Sequence, residues 1–156
     1  VTQKSLEPIV ADTHNANESE REAWRKEGYA LIRAGKVGAI VMAGGQGTRL
    51  GTVLPKGTFD IQLPSGKSPF QLQAERIRRV VELAASDDDD DDDDDDDKGK
   101  KKLPSLPWYI MTSPQTHEQT VDFFRKHAYF NLPERDVVFF QQQEAPVFDV
   151  DRKSVV

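Results

Sequence analysis

The chain has 156 residues, with 27 acidic and 21 basic side chains, no cysteine and a formal net charge of −6. Eleven of the acids form one block, 87–97, and outside it 16 acids face 21 bases, so the overall sign selects neither a nucleic acid nor a membrane as partner. The length allows one domain at most, and the missing cysteines exclude a disulfide framework, a thiolate metal site and a Cys nucleophile, which suits a reducing, cytoplasmic setting.

In chain order, residues 1–18 read as a polar, flexible N-terminal segment. Residues 19–34 read as a helix, with Trp24, Gly28, Leu31 and Ile32 near one face and Gly35 as its stop. The run 37–42 is almost wholly apolar, which predicts a strand buried on both faces. A glycine-rich loop follows it. Residues 59–63 alternate with period two and predict a strand edge or hairpin. Ser68-Pro69-Phe70-Gln71 announces a helix, with Ser as N-cap, Pro in the first turn and Gln completing a capping box. Phe70, Ala74, Ile77, Val81 and Ala84 keep to one face of that helix. The Asp-then-Lys stretch 86–102 cannot pack, because adjacent carboxylates repel and bury nothing; it reads as a tolerated surface insertion, or as an acidic loop for a basic partner. A second strand is predicted over 106–111. A helix then starts at Ser113-Pro114 and runs to about His127, with Val121, Phe124 and Ala128 apolar. A third strand follows over 137–140. The alternation predicts an α/β fold, a Rossmann-like parallel sheet with helices on both faces. No apolar run approaches the roughly 20 residues that cross a bilayer. The chain begins with Val and stops at Val155-Val156, so 19–156 is read as the first part of a longer domain.

The informative stretch is Ala43-Gly44-Gly45-Gln46-Gly47-Thr48-Arg49-Leu50-Gly51, followed by Pro55-Lys56-Gly57. It leaves the first strand where parallel sheets place their ligands. Closely spaced glycines let backbone N–H groups converge on an anion, and Arg49 and Lys56 supply a forked and a point cation for phosphate oxygens. The P-loop pattern fails, because Ile61 stands where its first glycine belongs, and the dinucleotide pattern fails at Leu50. For the glycines alone, a simple glycine-rich turn beside surface cations remains open. The scattered His14, His117 and His127 do not suggest a metal site. Asp149 and Asp151 read as a turn, and Trp24 and Trp108 as packing residues.

The full string G-G-Q-G-T-R-L-G with P-K-G resembles the signature of the uridylyltransferase (sugar-nucleotide pyrophosphorylase) superfamily, and its Gln resembles the eukaryotic-type UDP-N-acetylhexosamine (UDP-N-acetylglucosamine) pyrophosphorylases. The stretches 70–77, 108–113 and 139–142 resemble that family's first long helix and its second and third core strands. After Gln141-Gln142 the family has Gly and then Met-Leu-Pro, where this chain has Gln143-Glu144-Ala145-Pro146. The resemblance implies a nucleotide-diphospho-sugar transferase fold, incomplete in this chain. It implies a reaction of UTP with N-acetylglucosamine 1-phosphate that gives UDP-N-acetylglucosamine and pyrophosphate. It also implies that Ala43, Gly44, Gly45, Gln46, Gly47 and Thr48 face the nucleotide. Arg49 would neutralise the departing pyrophosphate, Lys56 would hold the phosphate at the reacting centre, and Gln141 would read the uracil edge, with Gln142 the weaker candidate. Mg²⁺ would bridge the phosphates, its carboxylate ligand lying beyond residue 156, and this piece alone would be inactive. The alternatives are a related enzyme for glucose or galactose 1-phosphate, or a non-catalytic binding module. Oligomeric state is not legible.

Overall fold

The computed structural model describes residues 15–48, 51–87 and 103–143, and the backbone of two short strands beyond them. Its elements in chain order are α1 (Glu18–Arg33), β1 (Ala39–Met42), α2 (Pro69–Ser86), β2 (Trp108–Thr112), α3 (His117–Lys126), β3 (Val137–Gln141), β4 (Val147–Phe148) and β5 (Ser154–Val155). Strands β1, β2 and β3 form a parallel sheet in that order, and β4 pairs antiparallel with β5. The parallel α/β class is as the alternation predicts.

Registration across the sheet sorts the side chains into two faces. Ala39, Trp108 and Val137 share one row, and Val41, Ile110 and Phe139 the next row on the same face. These residues pack with Phe70 and Ala74 of α2 and Phe124 of α3 into an aromatic core. Phe124 sits at its centre, with ring centroids 5.1 Å from Phe70, 5.4 Å from Trp108 and 5.2 Å from both Phe130 and Phe139. Each such pair adds about 1 kcal/mol beyond the area it buries. Strands added in one direction through crossovers of one hand put both connecting helices on the same side. Among the described residues the helices therefore cover one face only. The rows Ile40–Tyr109–Val138 and Met42–Met111–Phe140 lie on the other. Ile40 is 68% exposed and Met42 82%, so β1 is not buried on both faces as its apolar run predicts.

The helix boundaries show which local signals hold. Helix α1 opens with a reciprocal capping box in which the Asn17 side chain accepts from the Glu20 amide and the Glu20 side chain from the Asn17 amide, both at 2.9 Å. It packs through Tyr29 and Ile32 against Val81, Ala84 and Leu106. Trp24 and Leu31 do not join that contact; Trp24 is 44% exposed. Arg33 ties the two helices together by donating to the Ala84 carbonyl at 2.9 Å and pairing with Asp87 at 3.4 Å. Asp87 thus packs, although it opens the acidic block; 88–102 lie outside the described residues. Helix α2 starts as its sequence predicts, with Ser68 Oγ accepting from the Gln71 amide at 3.2 Å and Pro69 in its first turn. The Gln71 side chain does not close the capping box but donates to Glu75.

Two predicted elements differ. Residues 59–63 form no strand: Gln62 has φ +60°, and alternation without a partner strand does not make a ladder. Helix α3 begins at His117 rather than Ser113; residues 113–116 form a turn in which the Ser113 carbonyl accepts from the Thr116 and His117 amides. It ends before Ala128, which opens a left-handed turn over Ala128–Asn131 and is exposed.

Candidate functional site

The three parallel strands end together at Met42, Thr112 and Gln141, and their C-terminal edge carries the glycine loop. The Ala43 amide donates to the Met111 carbonyl at 2.8 Å, prolonging the β1 ladder by one bond. The chain then folds back on itself. Gln46 bridges Pro55 antiparallel, the Gly47 amide donates to Leu54 O at 2.9 Å, Thr52 N to Gly47 O at 3.2 Å, and Lys56 N to Gly45 O at 3.3 Å. The loop is a closed hairpin-like device in which 45–47 pair with 54–56.

Gly47 permits this closure. A Cβ there would lie 2.5 Å from Thr52 Cγ2 and 3.3 Å from Leu54 O. The returning limb explains Pro55-Lys56-Gly57. Pro55 is fully buried under the loop. Gly57 lies against the Phe70 ring so closely that a Cβ would meet Phe70 Cε2 and Cζ at 2.2 Å. Lys56 is exposed between these two anchors and opens the 3-10 helix Lys56–Thr58. Its side chain passes over Gly45, with Nζ 3.8 Å from where a Cβ would be. A proline seat and an aromatic seat thus hold one cation over the glycine backbone. Among the described residues, the amides of Gly44, Gly45 and Gln46 donate no hydrogen bond. Free amides beside a held ammonium form an anion-binding concavity.

The opposite side comes from β3. Alternation places Gln141 in register with Thr112, on the face that Val137 and Phe139 turn to the helices. Gln142 follows on the other side, and its side chain crosses the end of β2 to reach Gly44. A Cβ at Gly44 would lie 3.1 Å from its Cδ, Nε2 and Oε1 alike, so the amide lies flat against the glycine. Within the described residues that amide makes no hydrogen bond, leaving a donor and an acceptor available. Of the two adjacent glutamines, it is Gln142 that meets the loop.

The site residues inferred from sequence therefore divide. Ala43, Gly44, Gly45, Gln46, Gly47 and Lys56 are brought together; Thr48 is exposed at the loop's outer turn, where its carbonyl accepts from Gly51 N at 3.1 Å. Arg49 lies outside the described residues, as do His14, Asp149 and Asp151. Thr112 and His117, at the end of β2 and the start of α3, stand beneath the same edge, which only the strand order reveals. Among the described residues no three His, Asp or Glu side chains gather around one point, so this part of the chain builds no metal cage.

A family model described as UTP–glucose-1-phosphate uridylyltransferase matches residues 1–156. The chain belongs to that uridylyltransferase family. Within it, the chain is 42% identical over 156 residues to UDP-N-acetylglucosamine diphosphorylase 2 of Arabidopsis thaliana, covering 97% of this chain and 30% of that one. It is 42% identical over 149 residues to UDP-N-acetylglucosamine pyrophosphorylase of Saccharomyces cerevisiae, 96% of this chain and 27% of the other. The crystal structure of the uridine diphosphate N-acetylglucosamine pyrophosphorylase from Trypanosoma brucei in complex with inhibitor superposes with a TM-score of 0.76 at 32% identity, over 88% of this chain and 25% of that one. This uridylyltransferase-family chain thus spans about 30% of the length of the curated relatives it matches. No helix among the described residues is long and apolar enough to cross a membrane.

Proposed function

We propose that the protein carrying this chain transfers a uridylyl group from UTP to N-acetylglucosamine 1-phosphate, and that this chain builds the nucleotide half of the site. The observation that carries the reading is the closed loop. It sets three amides that donate no hydrogen bond among the described residues, with the pinned Lys56, at one side of the strand ends, and the Gln142 amide, unpaired among those same residues, against the loop. The relatives named for UDP-N-acetylglucosamine synthesis support the choice of sugar.

In such a reaction a phosphate oxygen of the sugar 1-phosphate attacks the α-phosphorus of UTP. A new P–O bond forms, the bond from the α-phosphorus to the bridging oxygen breaks in line, and pyrophosphate leaves with that electron pair. Little proton transfer is needed, so positioning and charge stabilisation dominate. The free amides of Gly44, Gly45 and Gln46 would receive phosphate oxygens, and Lys56 would hold the reacting phosphate. Gln142 would offer its amide to the uracil edge, with Gln141 the alternative that the motif resemblance favours. Arg49, by that resemblance, would neutralise the leaving pyrophosphate. Mg²⁺ would add charge neutralisation on the phosphates when bound. A cytoplasmic setting fits the cysteine-free sequence.

The test is release of pyrophosphate by the full-length protein given UTP, Mg²⁺ and N-acetylglucosamine 1-phosphate, alongside glucose and galactose 1-phosphates. Preference for the N-acetylated sugar supports the reading. Preference for glucose or galactose 1-phosphate favours the related-enzyme alternative, and no turnover of any of them favours a binding module.

A further inference from the structure

The end of β2 holds a polar cluster that the transfer reaction does not use directly. Thr112 is completely buried and grips β3 on both sides of Gln141. Its carbonyl accepts from the Gln142 amide at 2.8 Å, and its Oγ1 donates to the Phe140 carbonyl at 3.1 Å. The same Oγ1 meets His117 Nδ1 at 2.8 Å, a contact whose donor is set by the imidazole tautomer. The Thr112 hydroxyl is thereby held between the His117 ring and the Phe140 carbonyl.

The support beneath is equally complete. The Ser113 amide donates to Thr116 Oγ1 at 3.1 Å, the two hydroxyls meet at 3.0 Å, and Thr120 Oγ1 donates to the Thr116 carbonyl at 2.7 Å. Ser113, Thr116 and Thr120 are all buried. A buried polar network with every member satisfied is rigid, because any rotation leaves a group unpaired at low dielectric. The β2–α3 turn is thus a fixed platform, and the residue it fixes next is Gln142, whose amide lies on Gly44.

We infer that Thr112, oriented by His117, is a positioning residue for UTP: it sets where β3 ends and so where the Gln142 amide meets the base. The inference rests on the uridylyl-transfer reading and adds to it a pair of residues that need not touch the nucleotide. Because Thr112 acts through Gln142, its loss should weaken nucleotide binding without slowing chemistry at saturation.

The experiment is a kinetic cycle in the full-length enzyme with Thr112→Val, Thr112→Ser and Gln142→Ala. Valine keeps the shape and removes the hydroxyl; serine keeps the hydroxyl. Thr112→Val is expected to raise KM for UTP about tenfold, the scale of losing one buried hydrogen bond and stranding its partner, while kcat stays within about twofold. Thr112→Ser is expected to restore KM. In the Gln142→Ala background, Thr112→Val is expected to do nothing further. An effect of equal size in that background, a fall in kcat with unchanged KM, or failure of serine to rescue would overturn the inference. Should the valine variant not fold, His117→Ala, at a half-exposed position, carries the same test and should show a smaller rise in KM that also vanishes without Gln142. A wild-type enzyme that does not turn over UTP would refute the underlying reading instead, and is seen before any variant is made.

Discussion

Gly57→Ala couples the core directly to the site. The added Cβ would lie 2.2 Å from two ring carbons of Phe70. Carbon atoms rest at about 3.5–4.0 Å, so roughly 1.5 Å of separation must be found. The ring cannot supply it cheaply, being 1% exposed and held edge-on by Trp108 at 6.3 Å and Phe124 at 5.1 Å. Overpacking of this kind costs about 1–3 kcal/mol. If the loop yields instead, Lys56 moves with it, and a misplacement of about 1 Å can lower a rate about a hundredfold. Urea unfolding followed by tryptophan fluorescence measures the first effect and pyrophosphate release the second. Phe70→Leu removes the ring that the methyl strikes, so the double variant should be more stable than the sum of the two single losses by at least about 1 kcal/mol. Additive losses, or a Gly57→Ala protein as stable and active as wild type, would refute the claim that the ring seats the loop.

Lys56→Ala should lower turnover by about two to three orders of magnitude, the effect of removing one preorganised charge-stabilising group, with unfolding by urea unchanged because the side chain is exposed. Gly47→Ala should open the loop and weaken UTP binding; adding Thr52→Ser, which deletes the Cγ2 that the new methyl meets at 2.5 Å, should recover part of it. The Lys67 hydrogen bond, aided by Gln71, holds the Glu75 carboxyl below its usual range. Its contribution is therefore present above the unfolded carboxylate pKa of about 4.3 and is lost as pH falls through the lower folded value. Urea midpoints should show Glu75→Gln costing stability at pH 7 and little at pH 2. Ala128 has φ +48° in the left-handed turn, so Ala128→Gly should raise the urea midpoint, since an L side chain there costs about 1–2 kcal/mol.

Helix α2 was legible because its signals are local: a Ser-Pro start and an apolar stripe whose members Phe70, Ala74, Val81 and Ala84 are all buried. The glycine loop and Lys56 were legible for the same reason, being one continuous string. Spacing alone misled at Trp24 and Leu31, which stay exposed while Ile32 of the same stripe is buried. The apolar run of β1 misled in the same way, since burial depends on what lies across the sheet. The choice between Gln141 and Gln142 turns on which of them crosses β2, and sequence order holds no record of that. Nor does it show that Gly57 seats a ring 13 residues later, or that Thr112 and His117 meet beneath the strand ends.

Calorimetric titration of the full-length protein with UTP and with uridine tests the central claim most directly. The loop is assigned to the phosphates and Gln142 to the base. Lys56→Ala should therefore weaken UTP and leave uridine unaffected, while Gln142→Ala should weaken both by the same factor. A Lys56→Ala protein that binds UTP as tightly as wild type, or loses uridine in equal measure, would contradict the assignment.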